Sequence, residues 1–260
     1  MSAASPDRPP VNGTIALLLF DLDGTLADTS AEIADALNDT LRRLLLPEVA
    51  EEQVRGWIGG GTRELLMRAL VAADRAEWLD AAWAGFARDY ERRCGTRSRL
   101  YPGAAALLRR ARAAGLRLAL LTNKEERFAR RILQRHALAP LFDLVIAGDT
   151  LARAKPHPDG VWLALQRLGL APAQALLVGD SLTDLRTARA AGIAVWLVRH
   201  GYPGGLAECG EAPDGWIAHF DEFRQSTTPA AARRAPPLRS ARPSTPAGSG
   251  RRSRAGSGRA

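Results

Sequence analysis

The sequence has few cysteines and no long apolar run, and each absence excludes a class of protein. Cys94 and Cys209 are the only cysteines among 260 residues, and they lie far apart in the chain. They indicate neither a disulfide framework nor a thiolate metal cluster. No apolar run approaches the roughly 20 residues that span a bilayer, and the start, MSAASPDRPP, lacks the layout of a signal peptide. We therefore expect a cytoplasmic protein without a membrane anchor.

The formal net charge of +8 is confined to the end of the chain. Residues 226–260 contain eight arginines and no acidic residue, whereas the preceding 225 residues carry 28 basic and 28 acidic side chains. This tail has almost no large apolar residue, so we expect it to be disordered. It could contact the phosphates of nucleic acid or of acidic lipid loosely, but we expect no dedicated nucleic-acid role.

Two aspartates follow a short apolar segment near the start of the chain. The run from Ile15 to Phe20 is typical of a strand buried on both faces, and Asp21 and Asp23 come directly after it. Side chains two apart on a strand point the same way, which predicts both carboxylates near one point at the carboxyl edge of a sheet. Such a pair favours a bound cation or a shared proton. A simple strand-ending turn is the alternative.

Helical patterns without a convincing strand fill about the next seventy residues. They predict helices over 31–46, 51–58, 62–71 and 75–93, with Ser30 as the N-cap of the first. We expect the aromatic side chains of this segment to form its core. They are Trp57, Trp78, Trp83, Phe86 and Tyr90.

A glycine-rich turn lies within this helical segment. Three glycines, residues 59–61, precede a helix whose first turn contains Thr62 and Arg63. Glycines allow a ligand to approach the backbone closely, and a helix start attracts anions. Gly60, Thr62 and Arg63 are therefore candidate substrate contacts. A flexible turn followed by a solvent-facing arginine is the alternative.

From Tyr101 onwards the pattern alternates between helices and buried strands. It predicts strands over 116–121, 144–147, 175–178 and 194–198, and helices over 102–114, 125–136, 159–168 and 184–191. Strands that alternate with crossover helices indicate an α/β fold with a doubly wound parallel sheet covered on both faces.

The other candidate site residues lie at the ends of these strands or in the loops that follow. They are Thr122 and Asn123 after the second strand, Lys155 in the AKPHP loop, and Asp180 and Asp184 in GDSLTD after the fourth strand. Each is common in loops when taken alone. Because the carboxyl ends of parallel strands share one edge, we expect these side chains to meet Asp21 and Asp23 there. To share one ion, Asp21 and Asp180 must lie within about 10 Å of each other.

In this order, the motifs DLDGT, TN, KP and GDSLTD resemble the motif set of the haloacid dehalogenase-like superfamily. The resemblance covers residues 14 to about 223, and the phrases YPG, LLTNK and HGYPGG are similar to its phosphoglycolate phosphatase branch. It implies a Rossmann-like core of residues 14–29 and 98–225, with residues 30–97 as a helical cap inserted after the first strand. Residues 1–13 would be a flexible N-terminus, and the tail would lie outside the fold.

The resemblance also implies a magnesium-dependent phosphomonoester hydrolase that works through an aspartyl-phosphate. Asp21 would be the nucleophile, and Asp23 would protonate the leaving group and later take a proton from water. Thr122, Asn123 and Lys155 would bind the transferring group. Mg²⁺ would be held by Asp21, the backbone carbonyl of Asp23 and Asp180. Asp184 would support this set by holding either a metal-bound water or Lys155.

The substrate implied by the closest branch is 2-phosphoglycolate, which carries a carboxylate beside its phosphate. Arg63 is the expected cationic contact for that carboxylate. A sugar phosphate or another small phosphomonoester is the alternative substrate. A catalytically weak phosphate- or nucleic-acid-binding protein that uses the basic tail is a more remote alternative. The residues give no expectation for the oligomeric state or the pathway.

Overall fold

The short apolar runs of the chain form one parallel sheet of six strands. The structure, a computed structural model, describes residues 15–202, 204–206 and 209–223. The expectations for residues 1–13 and 226–260 lie outside these residues. The sheet strands are β1 (Leu17–Phe20), β4 (Arg117–Leu121), β5 (Leu144–Ile146), β6 (Ala175–Gly179), β7 (Ala194–Val198) and β8 (Gly215–Ile217). Their order across the sheet is β5-β4-β1-β6-β7-β8, and all neighbours are parallel.

Eight α-helices and a small second sheet complete the described part of the chain. The helices are α1 (Ser30–Arg43), α2 (Glu51–Arg55), α3 (Thr62–Ala72), α4 (Leu79–Arg93), α5 (Ala104–Ala113), α6 (Glu126–Arg135), α7 (Asp159–Leu168) and α8 (Leu182–Ala191). Short 3-10 helices cover Ala76–Trp78, Ala139–Leu141, Pro172–Gln174 and Phe220–Glu222. Two short strands, β2 (Ala27–Asp28) and β3 (Arg99–Leu100), pair antiparallel where the chain enters and leaves the α1–α4 segment.

Strand β1 lies in the middle of the sheet, and its side chains alternate between two apolar layers. Leu18 and Phe20 pack with apolar residues of α5 and α6, whereas Leu17 and Leu19 pack with those of α7 and α8. All four side chains are fully buried. The doubly wound α/β fold predicted from the sequence is therefore confirmed, because helices cover both faces.

The helical segment between β2 and β3 differs from its prediction in two aromatic positions. Phe86 and Tyr90 are buried as expected, and Trp57 is partly buried. Trp78 and Trp83 are 37% and 40% exposed, so their assignment to the core was wrong. The buried face of α4 carries Leu79, Ala82, Gly85, Phe86, Asp89 and Tyr90, which places Trp83 at the edge of this face.

The start of α1 also differs from its prediction. Ser30 is the first residue of the helix and Thr29 is the N-cap, which makes no capping hydrogen bond with its side chain. Instead, the Tyr202 hydroxyl accepts hydrogen bonds from the backbone N–H groups of Thr29 and Ser30, at 3.0 and 3.1 Å. The cap is thus shared between this tertiary contact and the side chain of Asp28, which accepts from the Ser30 N–H at 3.2 Å, whereas local sequence signals indicated Ser30.

The sequence pattern missed β2, β3 and β8, which have only two or three residues each. Among the described residues, every helix is too short or too polar to cross a membrane.

Candidate active site

Three buried carboxylates meet at the carboxyl edge of the sheet. Asp21 follows β1, Asp180 follows the neighbouring strand β6, and Asp184 lies in the first turn of α8. Their side chains offer one oxygen each within 4.8 Å of one another. Asp21 and Asp180 therefore satisfy the condition that they lie close enough to share one ion.

Lys155 brings a positive charge to these carboxylates. Its Nζ lies 3.0 Å from Asp21 Oδ1 and 2.7 Å from Asp184 Oδ1, and the side chain is almost fully buried. Of the two contacts expected for Asp184, the one with Lys155 is present. The ammonium group thus connects Asp21, at the end of β1, with Asp184 of the GDSLTD segment.

Hydrogen bonds fix the orientations of Asp180 and Asp184. Asp180 accepts from the Thr25 hydroxyl at 2.6 Å and from the backbone N–H of Tyr202 at 2.7 Å. Asp184 accepts from the Ser181 hydroxyl at 2.7 Å, and Ser181 is also the N-cap of α8. These contacts leave few alternative positions for either carboxylate.

The electrostatics of this cluster fit a hard divalent cation. Burial raises the pKa of Asp21 to about 6, and nearby Asp184 and Asp23 add to this effect while Lys155 opposes it. Burial also raises the pKa of Asp180 well above its usual range, and the charges of Asp184 and Asp21 contribute. Asp21 Oδ1 is buried, and the Lys155 ammonium group at 3.0 Å is its ion-pair partner. Oxygen donors that repel one another in this way are the ligands that Mg²⁺ prefers.

The side chain of Asp23 belongs to a different contact group. Lys124 Nζ lies 2.9 Å from both of its carboxylate oxygens, and the Thr29 hydroxyl donates to Oδ1 at 2.6 Å. The third member of the acidic cluster is Asp184, and the Asp23 side chain is not part of that cluster. The expected role of the Asp23 backbone carbonyl as a metal ligand stays a prediction.

Sequence reasoning gave no role to Lys124, although it directly follows Thr122 and Asn123. It also missed Tyr202, which touches Asp180 and the start of α1. Both residues follow the carboxyl ends of sheet strands, β4 and β7. The rule that ligands bind at that edge would have singled out both residues had it been applied to every polar side chain there.

Thr122 and Asn123 lie beside the cluster, but their side chains differ in availability. The Thr122 hydroxyl oxygen accepts from the backbone N–H of Lys124 at 3.3 Å, which leaves its O–H group able to donate. The Asn123 amide nitrogen donates to the backbone carbonyls of Gly59 and Lys155, both at 2.9 Å. In this conformation Asn123 therefore fastens the glycine turn and the lysine loop, and its N–H groups are not free to bind a phosphoryl oxygen.

The residues of the glycine turn have different surroundings. Gly59, Gly61 and Thr62 line the cavity next to the cluster, and the Thr62 hydroxyl donates to Glu125 at 3.1 Å. Gly60 instead packs under the Glu64 carboxylate. Arg63 is exposed and does not line the cavity.

The cavity itself has a polar floor from the sheet edge and an apolar wall from the helical segment. Asp21, Asp23, Thr122, Asn123 and Lys124 form the floor. The apolar wall consists of Ile33, Ile58, Leu65, Phe86 and Tyr90.

Comparison with known families agrees with this arrangement. A model of the haloacid dehalogenase-like hydrolases matches residues 18–198, which contain the three carboxylates and Lys155. The chain belongs to this hydrolase family. The resemblance drawn from its four motifs is thereby confirmed.

Proteins similar to this chain include members of the phosphoglycolate phosphatase branch of these hydrolases. A plasmid-borne phosphoglycolate phosphatase of Cupriavidus necator is 40% identical over 217 residues, covering 82% of this chain and 93% of that protein. An N-acetylmuramic acid 6-phosphate phosphatase of Pseudomonas putida is 37% identical over 185 residues, covering 71% of this chain and 83% of that protein. The crystal structure of a predicted phosphoglycolate phosphatase from Haemophilus somnus has a TM-score of 0.73 and 33% identity, over 79% of this chain and 95% of that one.

Proposed function

We propose that the protein hydrolyses a small phosphomonoester through a covalent intermediate on Asp21. The observation that carries the proposal is the meeting of three buried carboxylates with Lys155 at the end of β1. A phosphate monoester dianion repels an attacking carboxylate, so the site must first offset negative charge. Family membership and the names of the relatives support a phosphatase.

The residues of the chain divide the chemistry between them. An Asp21 carboxylate oxygen attacks phosphorus and the bond to the leaving oxygen breaks, which gives an aspartyl-phosphate. Asp23 supplies a proton to that oxygen and later accepts one from the water that cleaves the intermediate. Lys155 offsets charge on Asp21 and on the transferring group, and the Thr122 hydroxyl donates to a phosphoryl oxygen.

Asp21, Asp180 and the Asp23 carbonyl would hold Mg²⁺, with Asp184 supporting Lys155 and the first turn of α8. The bound ion would supply further positive charge to the phosphate. The buried, mutually repelling carboxylates support this assignment. We expect that chelation with EDTA abolishes phosphate release and that added Mg²⁺ restores it. Full activity in the chelated protein would contradict the metal assignment.

We propose 2-phosphoglycolate as the substrate, in line with the relatives named phosphoglycolate phosphatase. A sugar phosphate is the second candidate, which the relative named for N-acetylmuramic acid 6-phosphate favours. We further propose that residues 30–97 act as a cap over a core of residues 14–29 and 98–225. The hydrogen bond from Asn123 to Gly59 supports this role, because it joins the glycine turn to the catalytic edge.

The test is a phosphate-release screen with Mg²⁺ over 2-phosphoglycolate, N-acetylmuramic acid 6-phosphate and other sugar phosphates. Asp21→Asn serves as the blank, since an amide cannot act as the nucleophile, and we expect a loss of at least about 1000-fold in kcat. Equal turnover by Asp21→Asn would refute the nucleophile. Comparable rates on all substrates would refute only the choice of phosphoglycolate.

A further inference from the structure

The chain contains only two lysines, Lys124 and Lys155, against 34 arginines. Both are almost fully buried, and both contact aspartates at the carboxyl edge of the sheet. Lys155 already has a proposed role, which is to offset charge on the transferring phosphoryl group. We propose that Lys124 binds the carboxylate of the substrate and thereby selects 2-phosphoglycolate over phosphomonoesters with a neutral leaving group. This inference rests on the proposed function and deepens it.

Lys124 lies beside the proposed general acid. Its Nζ lies 2.9 Å from each carboxylate oxygen of Asp23, the residue that faces the leaving oxygen in the proposed reaction. In 2-phosphoglycolate a single methylene group separates that ester oxygen from the carboxylate. A cation that recognises the carboxylate must therefore lie next to Asp23, and Lys124 does.

Among the described residues, Lys124 has no competitor for a carboxylate in the cavity lining. Among the described residues that line it, Lys124 is the only one with a cationic side chain. Arg63, the candidate suggested by the sequence, is exposed and outside this lining. The neighbouring charged residues Asp21, Asp23 and Glu125 are acidic and would repel a carboxylate. A second anionic group on the substrate thus has one favourable partner.

The Lys124 ammonium group has more N–H donors than its described contacts use. It has three N–H donors, and the described residues use two of them, both on Asp23. The Tyr90 ring lies 4.8 Å from Nζ and provides an aromatic face without an oxygen acceptor. One donor therefore remains for a ligand.

The backbone that carries Lys124 is held in place. The backbone N–H of Gly148 donates to the Lys124 carbonyl at 2.9 Å, and a Cβ at position 148 would lie 2.3 Å from the Asn123 carbonyl oxygen. Lysine also suits this position better than arginine, because its compact ammonium group fits between Asp23 and Tyr90 without a planar fork. The chain uses arginine for every other basic position except Lys155.

The kinetic test compares two substrates that differ only in the proposed contact. Ethyl phosphate has a methyl group where 2-phosphoglycolate has its carboxylate. We expect Lys124→Met to lower the ratio of kcat/KM for phosphoglycolate over ethyl phosphate by about 10- to 100-fold, the range for one hydrogen bond to a charged group. Arg63→Gln is the matched variant, and it should leave this ratio within about twofold of wild type.

A binding test avoids any substitution of Lys124. With lysine labelled by ¹³C and ¹⁵N, the protein has only two lysine side-chain signals. The Lys155 signal is identified by its change in Asp21→Asn, because Lys155 contacts Asp21. In Asp21→Asn with Mg²⁺, phosphoglycolate should shift the Lys124 signal, whereas ethyl phosphate should shift it much less.

The outcomes separate the inference from the proposed function. If the wild-type protein hydrolyses phosphoglycolate but Lys124→Met lowers kcat/KM equally on both substrates, the inference alone is overturned. Equal shifts of the Lys124 signal with both ligands would overturn it as well. A selective loss in Arg63→Gln would assign the carboxylate to Arg63 instead. If the wild-type protein releases no phosphate from phosphoglycolate, the proposed substrate fails and the inference fails with it.

Discussion

At the scale of single residues, two glycines make room for the carboxylate of Asp180. A Cβ at position 24 would lie 2.2 Å from Asp180 Oδ2, and one at position 201 would lie 2.2 Å from Asp180 Cβ. Gly24 also has a φ of +83°, which disfavours other residues. The position of Asp180, a proposed metal ligand, therefore depends on the presence of glycine at two positions that are far apart in the sequence.

We predict that Gly201→Ala lowers phosphate release without unfolding the protein. The added methyl group would displace Asp180 from its present position, and overpacking of this kind costs about 1–3 kcal/mol. If that cost falls on the position of Asp180, kcat should fall by about 10- to 100-fold, and more Mg²⁺ should be needed for half-maximal activity. Steady-state kinetics over a range of Mg²⁺ concentrations measures both quantities.

Gly56→Ala is the control for this substitution. Gly56 has right-handed helical backbone angles, and an added Cβ would lie 3.5 Å from the nearest atom, at an ordinary contact distance. It should leave kcat unchanged. Similar losses in both variants would show that Gly201 has no special relation to Asp180.

At the scale of secondary-structure elements, a buried charge joins helices α1 and α4. The Asp89 side chain is fully buried, accepts a hydrogen bond from Thr40 at 2.9 Å and contacts Arg43 and Arg92. Burial alone would raise the pKa of Asp89, but the hydrogen bonds and the charge of Arg43 outweigh it and lower the pKa below its ordinary value of 3.8. The ionised form thus stabilises the packing of these two helices.

We predict that Asp89→Asn lowers the free energy of unfolding by about 2 kcal/mol at pH 7, the range for losing hydrogen bonds to a charged group. Because the folded protein holds the proton of Asp89 less tightly than the unfolded chain, this stabilisation is present above about pH 4 and is lost as the pH falls further. Urea unfolding of both proteins between pH 7 and pH 3 should show the difference shrinking.

Glu222→Gln is the control, because Glu222 is an exposed carboxylate. Its unfolding free energy should follow that of the wild type at each pH. A difference between Asp89→Asn and wild type that stays constant down to pH 3 would contradict the assigned role of the ionised carboxylate.

A second buried carboxylate connects α1 with the residues that follow α4. Glu32 in α1 is fully buried and accepts hydrogen bonds from the backbone N–H groups of Gly95, Arg97 and Ser98, and from the Tyr90 hydroxyl. Residues 95–98 lead from α4 into β3. The Glu32 carboxylate therefore links the first helix of this segment to the residues that connect its last helix to β3.

At the scale of the whole molecule, every side chain given a role in the site lies between residues 21 and 202. The basic residues 226–260 contribute none of them. We therefore predict that a chain truncated after residue 225 keeps the kcat and KM of the full chain within about twofold. Phosphate-release kinetics on the two proteins measures this.

Nucleic-acid binding provides the complementary readout for the truncation. Any binding of RNA or DNA by the full chain should disappear in the truncated one, because the remaining residues carry equal numbers of basic and acidic side chains. Loss of turnover on truncation would instead give the tail a part in the enzyme.

The layered fold and the residues that gather at the sheet edge could be predicted from local sequence patterns. Buried strands leave continuous apolar runs, and parallel strands must present their carboxyl ends together, so Asp21, Asp180 and Lys155 were expected to meet. Both rules depend on local patterns and on the geometry of a parallel sheet, which one sequence is enough to indicate.

The contacts of the individual side chains, in contrast, depend on how the helices and the sheet pack together. Tyr202 caps α1 from 172 positions away, Lys124 pairs with Asp23, and Asn123 is occupied by Gly59 and Lys155. Arg63 points to solvent although it follows the glycine turn. These outcomes depend on distances between segments far apart in the chain, and no local pattern encodes them because each partner becomes a neighbour only when the helices and the sheet have packed.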